Sequence, residues 1–98
     1  MIKISINKDS ITIKGHSGYG EVGTDIVCAS VSSIAITTVN ALIRIYEDCI
    51  VYNESDGYLE IKINKHNEIV DTLIENMIVL FKELEMKYKK YIEIREVS

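Results

Sequence analysis

The 98 residues, 47% of them hydrophobic and 27% charged, describe one ordered domain spanning 1–98, large enough for a single modest core and too small for two. A formal net charge of −4 argues against a general nucleic-acid binder, which needs a basic face. The opening "MIKISINKDS" has no apolar signal region and two cysteines do not make a disulfide framework, so a reduced, cytoplasmic protein is expected.

Ile2, Ile4 and Ile6 alternate with Lys3, Ser5 and Asn7, which is the period of a strand. "NKDS" is turn chemistry, and Ile11 and Ile13 resume the alternation, so the chain opens with a β-hairpin. A glycine cluster follows: Gly15, Gly18, Gly20 and Gly23 are four of the five glycines in the protein. From Thr24 to Asp56 there is neither Gly nor Pro, too long a run for any strand. Val27, Val31, Ile34, Thr38, Leu42 and Ile45 are spaced by fours and threes, which predicts a helix despite the β-branched content. Its other face, Ile26, Ala29, Ile36 and Ile43, is also apolar, so burial on more than one side is expected, one side as a subunit interface. The uncharged stretch from Ile26 to Ile43 touches the length of a membrane span, but Ser30, Ser32, Ser33, Thr37, Thr38 and Asn40 dilute it, and a buried helix is the reading taken.

"CIVY" and "YLEIKIN" flank "NESDG", a second hairpin with Gly57 in its turn. Ile69, Val70, Leu73, Ile74, Met77, Leu80, Phe81 and Leu84 form a second helical stripe, and "YIEIREV" alternates as a last strand. The order is ββαββαβ, which predicts an α+β sandwich: a mixed or antiparallel sheet packed with two long helices. Lys87, Lys89 and Lys90 fit the last turn of a helix, where cations offset the dipole.

The chemistry-bearing residues gather around the glycine loop. Thr24 or Asp25 fits a helix N-cap, which places Cys28 in the first turn, where unpaired N–H groups and the positive end of the dipole favour a thiolate. His16 precedes the loop, which could fold it back onto the sulfur, since a Cys–His pair needs contact in space and not in sequence. Asp25 could orient the imidazole, or be only the cap. Ser32, one turn after Cys28, could bond the sulfur or a substrate, or only a helix carbonyl. Each has a plain structural counterpart: a helical Cys among Val and Ala also suits a core. "GYGEVG" lacks the spacing and the Lys of a phosphate loop. Cys49 and His66 show no ligand spacing with the first pair, so no metal is expected. Cys49 reads as a buried thiol at the end of the helix, and His66 as a solvated residue at a helix start.

Glycine–His, a glycine-bearing loop, then "GTDIVCASVS" resembles the ribosomal-processing cysteine protease family (Prp) of bacteria. The resemblance extends to the length and element order of the whole chain and is most specific over residues 15–32. Members commonly carry Ala where this chain has Ser17 and Ser30, a small-for-small difference. By resemblance the nucleophile falls on Cys28, the histidine on His16, the motif Asp on Asp25, and the Ser one turn after the Cys on Ser32. The resemblance further implies a homodimeric endopeptidase without a cofactor. Such an enzyme removes the short N-terminal extension of a large-subunit ribosomal protein, cutting after an aromatic pair. No membrane and no direct nucleic-acid contact is expected. The rival class is a non-catalytic, ribosome-associated dimeric module gripping a peptide or RNA through the glycine loop. A thiol-redox sensor would need a second Cys near Cys28, and Cys49 is too far along a continuous helix.

Overall fold

Two strands, Ile2–Ile6 (β1) and Ser10–Lys14 (β2), form the first hairpin, with the Asn7 side chain accepting from the amides of Asp9 and Ser10 to close its turn. The computed structural model describes residues 1–16, 18–20 and 25–97. A helix, Ile26–Ile45 (α1), leads to a second hairpin of Ile50–Ser55 (β3) and Tyr58–Ile63 (β4). A second helix, Glu68–Lys87 (α2), and a last strand, Ile92–Glu96 (β5), complete the fold.

The five strands make one sheet in the order β3-β4-β2-β1-β5. Neighbours are antiparallel except β1 and β5, which run parallel with Ile2 opposite Ile92, so the sheet is mixed. Each helix is a crossover between parallel strands: α1 steps from β2 past β4 to β3, and α2 steps from β4 past β2 and β1 to β5. The two crossovers start on antiparallel strands and move in opposite directions, so a common hand places both helices on the same face. The result is a two-layer sandwich with the core between sheet and helices.

The pattern of burial follows the sequence periods. Ile2, Ile4, Ile6, Ile11, Ile13, Leu59, Ile61 and Ile63 point into the core, while Lys3, Ser5, Lys14 and Lys62 between them are exposed. On α2 the buried stripe is Val70, Ile74, Met77 and Phe81; Ile69 falls outside it and is exposed, and Leu73, Leu80 and Leu84 are half-buried.

One expectation for α1 needs correction. Its buried stripe is Val27, Val31, Ala35, Thr38, Val39 and Leu42; Ile45 is exposed and Ile34 half-buried. Ala35 and Val39 complete it because a straight helix drifts past the fours-and-threes pattern within a few turns. The opposite face is not buried within the chain: Ile26, Ala29, Ile36 and Ile43 all face outward. With only two layers, one side of the helix has a sheet to pack on and the other does not. The helix is long and apolar enough to cross a membrane, yet this stripe is committed to the core.

Candidate active site

The first turn of α1 is built around Asp25. The residue is buried and extended, and its Oδ1 accepts from the amides of Val27 at 2.9 Å and Cys28 at 3.0 Å. Its carbonyl takes the Ala29 amide at 3.0 Å, starting the helical ladder. Of the two expected caps, Asp25 is therefore the cap; Thr24 lies outside the described residues, as do Ser17 and Gly23. The carboxylate fixes the peptide that carries the thiol. The serine that bonds back to a carbonyl is Ser30, to Ile26 at 2.7 Å.

His16 follows β2 by two residues. Gly15, at φ +92°, bends the chain there, and its amide donates to the Gly57 carbonyl at 2.8 Å. This bond ties the start of the glycine loop to the β3–β4 turn. The Met1 amino group donates to the His16 carbonyl at 2.6 Å. The imidazole lies against the turn, with Nε2 at 4.0 Å from Asp56 Oδ1.

His16, Cys28 and Ser32 stand at the junction of two clefts. One, of about 520 Å³, runs between the α1 side chains of Cys28, Ser32 and Ile36 and the hairpin residues Glu54 to Leu59. The other, of about 460 Å³, lies under the glycine loop, with Gly18, Gly20, Asp25 and Ala29 in its walls. These three side chains are the ones that border both spaces. Glu54, which lines the first cleft, accepts from the Tyr52 hydroxyl, and burial together with that carboxylate pushes the phenol up to about 12. The rim on the hairpin side is thus acidic, from Glu54 and Asp56. Tyr19, in the loop, packs edge-on against Tyr88 and Tyr91 with centroids 5.6 and 5.1 Å apart, anchoring the loop to the end of α2.

The remaining Cys and His lie elsewhere. Cys49 is fully buried four residues beyond the end of α1, its thiol donating to the Leu42 carbonyl at 3.6 Å, and burial pushes its pKa up. Cys28 is in the first turn of α1 and Cys49 lies beyond its last, so most of a 20-residue helix, about 30 Å long in all, separates the two cysteines. His66 is not simply solvated: Nδ1 meets Asp71 at 2.7 Å and Nε2 meets Asp9 at 2.8 Å, bridging α2 to the first hairpin. The helix cap is Asn67, whose side chain accepts from Val70. Donating to the carboxylates of Asp71, first, and Asp9 pushes the imidazole above its ordinary value. Among the described residues no group of three or more His, Cys, Asp or Glu side chains is arranged to hold a metal ion.

Sequence reasoning brought His16, Cys28, Asp25 and Ser32 to one region. It missed the hairpin wall, above all Asp56 and Gly57. "SDG" reads as a turn, but only the strand order brings that turn beside His16.

Comparison with known proteins gives the family and the fold. The family described as Cysteine protease Prp matches residues 1–93, and the chain belongs to that family. Relatives include the ribosomal processing cysteine protease Prp of Staphylococcus aureus (strain Mu50), 27% identical over 100 residues, covering 95% of this chain and 94% of the relative. That of Bacillus subtilis (strain 168) is 29% identical over 92 residues, covering 87% and 82%. The fold matches the crystal structure of S. aureus Prp with a covalently linked product peptide at a TM-score of 0.92 and 26% identity, covering 99% of this chain and all of that one. The form of S. aureus Prp with a substrate peptide matches at 0.86 and 25% identity.

Proposed function

We propose that this chain is a cytoplasmic, homodimeric cysteine endopeptidase that removes the N-terminal extension of a large-subunit ribosomal protein, cutting after Phe. The observation that carries the reading is the placement of Cys28 and His16 at the junction of two clefts, in a fold that matches a relative holding a covalently linked product peptide.

His16 takes the proton of Cys28, and the thiolate attacks the scissile carbonyl, forming a C–S bond. Backbone N–H groups stabilise the oxyanion, other than those of Val27 and Cys28, which already serve Asp25. The tetrahedral adduct expels the amine, which leaves with the proton held by His16 as the C–N bond breaks. Water, deprotonated by His16, then attacks the thioester; the carboxylic acid departs and the thiol is restored. Ser32 borders the same space and is placed to bond the peptide. β3 is an edge strand whose end lines the cleft, so an extended peptide can lie along it, adding its backbone to the sheet. The outward apolar face of α1 supplies the dimer contact.

The test is mass spectrometry of a peptide carrying the extension, incubated with wild type and with Cys28→Ser. A single cut after the aromatic pair, absent in the variant, supports the reading. No cut by folded wild type, with Cys28 alkylating slowly at neutral pH and indifferent to His16→Ala, turns it toward a binding module.

A further inference from the structure

We infer that the β3–β4 turn seats the proposed catalytic histidine, with Asp56 as a positioning residue that faces Nε2 of His16 and leaves Nδ1 to work on the thiol side. The inference rests on the functional reading above for its thiol partner, and on three separate contacts for its geometry.

The first contact is the approach of the ring. A Cβ placed on Gly57 would lie 3.1 Å from His16 Nε2 and 3.7 Å from both Cδ2 and Cε1. Nε2 therefore leads the ring into the turn, and Nδ1 lies on the side turned away from it. Gly57 suits the turn twice over: its φ is +67°, and a Cβ there would press on the imidazole, which would have to give by a few tenths of an ångström. The second contact is the tie between the two segments, Gly15 N–H to the Gly57 carbonyl at 2.8 Å, which keeps the turn in place beside the residue after Gly15. The third is Asp56 Oδ1 at 4.0 Å from Nε2.

The chemistry follows from the tautomer. With the neutral ring's proton on Nε2, toward the carboxylate, the Nδ1 lone pair is the base that takes the Cys28 proton. After transfer, the Nε2–H of the imidazolium still faces a negative charge. The separation of 4.0 Å exceeds a hydrogen bond, and the side chains are 53% and 100% exposed, so water screens the pair until a peptide covers it. The effect on rate is on the order of tenfold, far below the ~10⁴-fold of a buried triad aspartate.

The experiment compares wild type with Asp56→Ala, Asp56→Asn and Asp56→Glu. Nitrogen-15 NMR of the histidine rings, assigned with His66→Gln, reads the tautomer at a pH about two units above the ordinary histidine value. The peptide assay supplies kcat and KM. Asp56 is exposed in a turn, so the variants fold, and their melting temperatures are compared as a control. The expected result is an Nε2–H tautomer in wild type and at least a doubling of the Nδ1–H share in Asp56→Ala. In that variant kcat falls about tenfold at unchanged KM, and Asp56→Glu recovers most of the loss. An Nδ1–H tautomer in wild type, or an Asp56→Ala protein indistinguishable from wild type while wild type cuts the peptide, overturns this role and spares the protease reading. If wild type does not cut, the tautomer alone decides, and a shift on removing Asp56 keeps the seat while the protease reading fails.

Discussion

Asp25 Oδ1 accepts the Cys28 amide at 3.0 Å, so the residue that begins α1 also holds the backbone of its thiol. Losing that acceptor frays the first helical turn. Asp25→Ala is expected to cost about 0.5–2 kcal/mol in urea denaturation, the range for a lost N-cap, whereas Asp25→Asn keeps the acceptor and most of the stability. Peptide cleavage should fall in Asp25→Ala even at temperatures where the protein remains folded, because the frayed turn is the one that carries Cys28.

The His66 bridge makes stability depend on pH. The folded imidazole titrates above its ordinary value of 6.5, so the bridge contributes fully below that pH and is lost as the pH rises through the higher folded value. The melting temperature should therefore begin to fall above pH 6.5, and His66→Gln should flatten that slope while lowering the plateau at pH 6. The ring is 36% exposed, which keeps the effect small and sensitive to salt. A slope unchanged in His66→Gln would assign it to another group.

Two glycines of the loop should respond differently to alanine. Gly18 has φ +75°, and among the described residues nothing lies within 4 Å of a Cβ placed there, so Gly18→Ala pays mainly the left-handed conformation, about 1–2 kcal/mol. Gly15 has φ +92°, and a Cβ there would sit 2.6 Å from the Met1 carbonyl oxygen, which is backbone and moves only with β1. Gly15→Ala should be the more destabilising of the two by urea titration, with the larger loss of cleavage because His16 follows directly.

The two thiols should separate cleanly by reactivity. Iodoacetamide at neutral pH is expected to modify Cys28 in the folded protein and Cys49 only after denaturation, since Cys49 is fully buried and burial disfavours its thiolate. Peptide mapping after a timed quench measures both rates at once.

Much of this architecture was legible from residue patterns. The isoleucine alternation in β1 and β2 and the long Gly- and Pro-free run of α1 each carry their own period, and local periodicity survives into the fold. Asp25 was legible as a cap because capping is local chemistry. The seat of His16 was not, because Asp56 and Gly57 are about forty residues away and reach it only through the skipped-strand order of the sheet. His66 was legible as an exposed residue at a helix start, but its bridge was not: Asp71 is within reach in sequence, while Asp9 comes from the far end of the chain. The outward face of α1 shows the converse limit, since an apolar pattern says that a surface is to be covered but not whether the same chain covers it.

The parallel pairing of β1 with β5 has a consequence for biosynthesis. Ile2 lies opposite Ile92, and the Ile2 amide and Ile6 carbonyl are bonded to Tyr91 and Val97, so the first strand made is completed by the last. While the nascent chain is still being extended, β1 keeps one unpaired edge, and the sheet cannot close until residues 92–97 have left the ribosomal tunnel. Completion of the sheet therefore waits for residues 92–97, and a chain lacking them would present that unpaired edge to its neighbours.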